Sequence, residues 1–189
     1  IVRDPRDVLA SKKKDKESVW GTSKYEPEKR YIKDLQKAFD PIWDSLSWKS
    51  EISTGMKIKE KYPGIIHSIS YEDLVQDPER YSREICWFLG VDFQEDQLNV
   101  PKRNSSLWQN KPAGIGTQSV GKWKRILNPE EVSICQILTN RELNQLNYKK
   151  VPVRLNPYKI LVLIVKSIGE FFQRIRKRKI WRGDAFLKS

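Results

Sequence analysis

Histidine and cysteine are scarce in this 189-residue chain, which contains one His and two Cys. A structural zinc site needs several Cys or His ligands at characteristic spacing, and none occurs here, so we expect no metal. A disulfide framework would need more cysteines in a smaller chain. Cys86 and Cys135 lie in separate helical patterns, so we predict two buried free thiols, which fits a reducing compartment.

Long apolar runs are also missing. Residues 160–165 are six apolar residues in a row, whereas a helix that crosses a bilayer takes ~20. We find no internal repeat and no low-complexity segment. Hydrophobic residues make up 38% of the chain and charged residues 32%, a balance that is typical of a globular domain rather than a disordered segment.

Negative charge is in deficit, and the formal net charge is +12. Such a balance favours anionic partners: nucleotides, sulfated or phosphorylated substrates, nucleic acid or acidic lipid. The charge is uneven, because residues 154–189 contain ten Lys/Arg and two Asp/Glu and therefore carry +8 of the total. The rest of the chain is only mildly basic, which argues against a nucleic-acid-binding domain.

Residues 1–11 are typical of the end of a buried strand that runs straight into a helix. Asp4 suits the N-cap and Pro5 the first helical position. Arg3 lies at the carboxyl end of the strand, where ligands bind in parallel α/β sheets, and its guanidinium suits a phosphate. Ser11, about two turns on, can donate to the same anion. A strand end with a capped helix and no ligand is the alternative.

A second strand is predicted over residues 65–70, a β-branched run that follows a Pro-Gly break. Tyr71 comes at its carboxyl end, where the ring can pack on a base. Glu72 and Asp73 could form an acid–base pair, but we favour a role in capping or bracing the turn. His67 has a suitable unperturbed pKa for a base, yet its mid-strand position favours a structural role.

The long segment over residues 91–122 is predicted to be mostly loop, with one turn near Glu95. A loop of this length inside a compact domain is usually functional. Near its end, Gly121 permits a close backbone approach, Lys122 adds positive charge and Trp123 can anchor the loop. A surface turn with one buried Trp is the alternative.

Capping signals predict the helix starts: Asp40 and Asp77 each precede a proline, and residues 128–131 resemble a capping box. The predicted helical segments are residues 5–14, 27–46, 78–89 and 129–138. A restart is possible after Asp40 and again at residues 139–142. Asn147 is a plausible left-handed stop for the last of them. The expected buried positions are Tyr81, Ile85, Phe88, Leu89, Val132, Cys135, Ile137 and Leu138. Two strands separated by helices imply an α/β architecture with a mostly parallel sheet.

Three segments in this order resemble the sulfotransferase family that uses 3′-phosphoadenosine 5′-phosphosulfate. In residues 3–11, the arginine and serine keep the family's eight-residue offset. Residues 71–78 resemble its strand-to-helix segment, and residues 120–124 resemble its late glycine-tryptophan loop. The resemblance spans roughly residues 1–148.

The resemblance implies a P-loop-like three-layer α/β fold, helix-rich in this portion, with the N-terminal strands and the phosphosulfate loop missing. Residues 1–150 would then be the C-terminal portion of the sulfotransferase domain, and residues 151–189 a basic amphipathic helical tail. The co-substrate would be 3′-phosphoadenosine 5′-phosphosulfate, without a metal, and the acceptor a hydroxyl or an amine.

The resemblance also implies site residues. Arg3 and Ser11 would bind the 3′-phosphate, and Tyr71 would lie against the adenine. The further cofactor-binding positions are Ser105, Ser106, Val120, Gly121, Lys122 and Trp123.

Two departures from the family pattern matter. No glycine-rich turn with Lys-Ser/Thr is present, and residues 116–121 lack the Arg-Lys-Gly of animal cytosolic members, so their pattern looks closer to bacterial-type or tyrosyl-protein-type members. The family's catalytic base usually precedes the segment that begins here. We therefore assign no catalytic residue and expect this segment alone to be inactive.

Two rival functions stay open: a nucleotide or small-molecule kinase on a related fold, and a non-catalytic module that binds anionic membranes. For the tail, a helix packed on the domain is favoured over peripheral contact with an anionic membrane through residues 158–182. We expect a cytoplasmic location and no nucleic-acid partner.

Overall fold

The computed structural model describes residues 1–19, 39–99 and 115–186. Its first helix, α1, spans Pro5–Val19 and is longer than the sequence pattern predicts. Asp4 caps it as predicted, because its Oδ1 accepts the backbone N–H of Arg6 at 2.9 Å. The Asp4 carbonyl accepts the N–H groups of Asp7 and Val8, both at 3.1 Å. These bonds satisfy donors that the first turn of a helix leaves unpaired.

A single parallel bridge joins Val2 to Ser70. The Val2 N–H donates to the Ile69 carbonyl at 2.8 Å, and the Tyr71 N–H donates to the Val2 carbonyl at 2.6 Å. The parallel direction agrees with the prediction, but the predicted strand over residues 65–70 is wrong in extent, because within the described ranges it contributes only this bridge. A turn occupies residues 63–65, and α1 begins three residues after Val2.

Helix α2 spans Pro41–Lys61. The Asp40 side chain caps it by accepting the N–H groups of Ile42 at 2.9 Å and Trp43 at 3.1 Å, as the Asp-Pro pair predicts. The helix also includes residues 48–56, for which the sequence pattern gave no assignment. The part of the predicted helix over residues 27–38 lies outside the described residues.

Two short helices follow the bridge. Helix α3 spans Tyr71–Gln76, and helix α4 spans Pro78–Leu89 and ends at Gly90, which has φ of +69°. The prediction that Leu89 is buried is wrong, because it is 63% exposed. Helix α4 turns Cys86 inward instead, and its Sγ lies 3.3 Å from Gln97 Oε1 on a 3-10 helix at the predicted turn, Glu95–Leu98.

The C-terminal half continues with a second 3-10 helix, Thr117–Ser119, and three helices: α5 at Trp123–Ile126, α6 at Pro129–Leu138 and α7 at Asn140–Gln145. The predicted capping box between Asn128 and Glu131 is present, and Asn147 has the predicted positive φ, +59°. The prediction that Ile137 is buried is wrong, because it is 65% exposed. Ile134, one turn earlier on α6, is buried instead, with 7% of the residue exposed.

The core forms where α1 packs on α5 and α6. Cys135 is fully buried and unpaired, and burial raises the pKa of its thiol to about 11. The thiol therefore stays protonated and unreactive at neutral pH. Cys86 is also free and buried, which confirms the prediction for both cysteines. The buried cluster consists of Leu9, Ala10, Trp123, Leu127, Val132 and Cys135.

The last helix, α8, spans Pro157–Phe186. One side of it packs on α2, where Ser167 Oγ donates to Asp40 Oδ2 at 2.7 Å and the rings of Phe171 and Trp43 lie 6.2 Å apart. The opposite side is an exposed apolar stripe with alternating spacings of three and four residues. This stripe consists of Tyr158, Leu161, Val165, Ile168 and Phe172. Within the described residues, no helix is both long enough and apolar enough to cross a membrane.

We expect Asn128→Ala to destabilise the fold by about 1 kcal/mol, the usual cost of losing an N-cap. Asn128 Oδ1 accepts the Glu131 N–H at 2.8 Å, and alanine cannot replace that acceptor. Urea unfolding would measure the change. Asn144→Ala, at an exposed position within α7, is the matched control and should leave stability within a few tenths of a kcal/mol. Equal effects of the two substitutions would contradict the capping role.

Candidate functional site

The parallel bridge places Arg3 beside Tyr71, because each directly follows a bridged residue. The Arg3 guanidinium carbon lies 4.6 Å from the centroid of the Tyr71 ring, within cation–π distance. Trp48 Nε1 donates to the Arg3 carbonyl at 3.1 Å, which fixes the backbone at this point. Two of the predicted site residues therefore lie in direct contact, although 68 residues separate them in the sequence.

The Arg3 guanidinium is only partly satisfied by the protein. Its Nη2 donates to the Ser119 carbonyl at 2.7 Å. Residues 119–123, called the late loop below, therefore also reach this point. Its Nε is buried and has no hydrogen-bond acceptor among the residues that the structure describes. Because an unpaired buried donor costs about 1–3 kcal/mol, an anion that accepts this N–H would be stabilised here.

Ser11 is exposed on α1, and in the described part of the chain it makes no hydrogen bond to Arg3. A rise of 1.5 Å per residue puts it about 9 Å along the helix from Pro5. The structure therefore does not bring this predicted pair into contact. Ser105 and Ser106 lie outside the described residues.

The late loop over residues 119–123 lies on the N-terminal turn of α1. Gly121 has φ of +71°, a conformation that favours glycine. Val120 is exposed and Trp123 is buried, with the Arg6 guanidinium 4.4 Å from the Trp123 ring centroid. Lys122 Nζ lies 3.5 Å from Ser119 Oγ. Four predicted site residues thus belong to one segment that contacts the Arg3 region.

Asp7 holds this loop, a role that the sequence analysis did not assign to it. Its Oδ2 accepts the Gly121 N–H at 2.7 Å, and its Oδ1 accepts the Trp123 N–H at 3.0 Å. Burial raises the pKa of Asp7, an effect that the two backbone hydrogen bonds partly offset. The available signal was an acidic residue one turn before Ala10, on the buried face of α1.

Glu72 braces the strand-to-helix junction. Its Oε1 accepts the Asp4 N–H at 3.0 Å, and its Oε2 accepts the hydroxyls of Ser70 at 3.0 Å and Tyr148 at 2.8 Å. Burial and the hydrogen bond to Glu72 raise the pKa of Tyr148. The structural role favoured for Glu72 is confirmed, whereas Asp73 is exposed.

His67 lies away from these contacts. Its Nε2 is 2.9 Å from Glu84 Oε1, and its ring stacks on Phe88 with the centroids 5.2 Å apart. Both partners belong to α4, so the imidazole packs on that helix. No group of His, Cys, Asp and Glu that could hold a metal ion occurs among residues 1–19, 39–99 and 115–186.

A protein-family model described as the sulfotransferase family matches residues 1–95, the half of the chain that contains Arg3, Ser11 and Tyr71. The chain belongs to the sulfotransferase family. Helix-rich packing and a parallel pairing are consistent with the P-loop-like α/β fold that this family implies.

Curated sulfotransferases are similar to this chain over most of its length. Carbohydrate sulfotransferase 1 of Mus musculus is 27% identical over 158 residues, which is 79% of this chain and 38% of that protein. Sulfotransferase 2A1 of Macaca fascicularis is 31% identical over 127 residues, which is 64% of this chain and 41% of that protein. The chain thus spans about two fifths of the length of these relatives. No solved structure gives a significant match.

We expect Tyr148→Phe to destabilise this sulfotransferase chain by about 1 kcal/mol, because Glu72 loses one of its hydroxyl donors inside the protein. Thermal or urea unfolding would measure the loss. Tyr158→Phe removes the same hydroxyl from a side chain that is 73% exposed and should leave stability unchanged. If both variants unfold like the wild type, Tyr148 does not contribute to the brace.

Proposed function

We propose that this chain carries the 3′-phosphate and adenine part of the site of a sulfotransferase whose donor is 3′-phosphoadenosine 5′-phosphosulfate. The observation that carries the proposal is Arg3, which combines a buried unpaired Nε with the Tyr71 ring 4.6 Å away. A phosphate binds the first group and a purine packs on the second. A nucleotide with a phosphate on its ribose offers both within one molecule.

The remaining residues fit this assignment in different ways. Ser11 is exposed on α1, so its hydroxyl lies on the surface of the helix that begins just after Arg3. Val120 and Lys122 would contact the nucleotide through side chains, because Asp7 already accepts the backbone N–H groups of Gly121 and Trp123. Ser105 and Ser106 stay as proposed contacts.

The chemistry proposed for the whole protein is in-line transfer of a sulfuryl group to a hydroxyl or an amine. Bound there, the co-substrate would supply the activated sulfuryl group and a phosphate leaving group. The residues of this chain would orient it by holding the far end of the nucleotide, and such positioning can account for much of an enzymatic rate enhancement. We assign no base within this chain and expect no turnover from it alone.

Calorimetric titration of the intact parent protein tests the proposal. We expect adenosine 3′,5′-bisphosphate to bind more tightly than 5′-AMP, and Arg3→Ala to weaken binding of the bisphosphate by roughly 10- to 100-fold, since hydrogen bonds to charged groups contribute about 1.5–3 kcal/mol. Arg83→Ala is the matched control, because Arg83 pairs with Glu79 on the exposed surface of α4.

Equal affinity of the wild-type protein for the two nucleotides would contradict the proposal. That outcome would favour the rival reading of a kinase, for which the 3′-phosphate is irrelevant.

We further propose that residues 158–182 contact an anionic membrane surface while the protein stays in the cytoplasm. The supporting observation is the apolar stripe on α8, whose five residues are 51–73% exposed. The tail over residues 154–189 carries +8. An amphipathic helix with excess Lys and Arg binds anionic lipid through both apolar burial and charge.

Co-sedimentation with vesicles tests the membrane proposal. We expect binding to vesicles that contain phosphatidylserine and much weaker binding to pure phosphatidylcholine. Val165→Ser should weaken the binding by about tenfold, in line with about 1.5 kcal/mol for burying a valine side chain. Val91→Ser makes the same change at a similarly exposed position, since Val91 is 53% exposed and Val165 60%. It should leave vesicle binding unchanged. Concentration-dependent dimerisation that Val165→Ser abolishes would instead identify the stripe as a contact between copies.

A further inference from the structure

The segment over residues 3–7, which leads into α1, is joined to the late loop at three points. Arg3 Nη2 donates to the Ser119 carbonyl at 2.7 Å, the Arg6 guanidinium lies over the Trp123 ring, and Asp7 accepts the two loop N–H groups. The cation proposed to bind phosphate therefore donates to the same loop that Asp7 fixes. If the loop moves, the Ser119 carbonyl moves with it and Arg3 loses its anchor.

Asp7 is well suited to fix the loop because its geometry uses both carboxylate oxygens. Each oxygen accepts one backbone N–H, and the side chain is buried, with only 2% of the residue exposed. An asparagine offers one oxygen and one NH₂ group, so it can satisfy only one of the two donors and would place N–H against N–H at the other. The site thus specifies a carboxylate and not merely a polar residue of this size.

We infer that Asp7 is a positioning residue that sets the preference of the site for a 3′-phosphate by holding residues 119–123 against α1. This inference rests on the proposed function. Asp7 is not placed in contact with the nucleotide here, because it is buried and both of its oxygens face the loop. It acts through the Ser119 carbonyl on Arg3, and through Arg3 on the Tyr71 ring.

The test compares Asp7→Asn with Asp44→Asn in the intact parent protein. Asp44 is a matched control because it is also buried and also uses both oxygens, which accept Lys12 Nζ at 2.8 Å and the Asp40 N–H at 3.2 Å. Two quantities are measured: hydrogen exchange of peptides that cover residues 119–124, and the ratio of the affinities for adenosine 3′,5′-bisphosphate and 5′-AMP.

We expect Asp7→Asn to accelerate exchange in this loop and to lower the affinity ratio at least tenfold, while Asp44→Asn changes neither. A ratio that stays at the wild-type value in a folded Asp7→Asn protein would overturn the inference and leave the proposed function intact. A wild-type protein without any preference for the bisphosphate would overturn the proposed function and the inference with it.

A second variant covers the case in which Asp7→Asn does not fold. Gly121→Ala keeps the N–H that Asp7 accepts and meets no atom within 4 Å of the added Cβ, but it strains the backbone at φ +71°. It should shift the loop without a steric clash and lower the affinity ratio in the same direction. An unchanged ratio, with loop exchange visibly accelerated, would contradict the coupling between the loop and Arg3.

Discussion

The buried guanidinium of Arg6 is the contact on which the packing around α1 depends. It donates to both oxygens of Asp4, at 2.9 Å and 2.6 Å for the closest bonds. It also donates to Gln136 Oε1 at 3.0 Å and to the Lys149 carbonyl at 2.9 Å, and it covers the Trp123 ring. One side chain therefore joins the start of α1 to α5, to α6 and to the segment that follows α7. Removing either charge would leave the other buried and unpaired, which typically costs about 3–5 kcal/mol.

A second group of polar contacts extends this arrangement to the site. Glu72 connects the Asp4 N–H to Ser70 and Tyr148, and Asp7 connects α1 to the late loop. In both cases a carboxylate is held inside the protein by donors from distant segments. The Arg3 guanidinium differs, because it keeps a buried N–H without an acceptor among the described residues. That difference separates Arg3, the group proposed to bind an anion, from the residues that support it.

Local sequence signals predicted the helix starts well, since an N-cap involves residues two or three apart. Asp40, Asp77 and Asn128 all cap helices where the sequence places them. The fully buried partners were harder to predict. Whether Leu89 or Ile137 is buried depends on which neighbouring helix covers each face, and helical periodicity does not contain that information. The role of Asp7 was missed for the same reason, because its partners lie 114 and 116 residues away.

That separation has a consequence for the order of folding. Contacts between residues so far apart in sequence form late, because closing a long loop costs chain entropy before the contact is gained. During synthesis the capped helices can form as they emerge, but the Arg3 region cannot reach its final arrangement until residues 119–123 have been made. A ribosome-bound chain that stops before residue 119 would therefore present α1 with its buried carboxylate, Asp7, still exposed to water. Arg3 and the loop that supports it therefore reach their final arrangement together, only after residues 119–123 have been made.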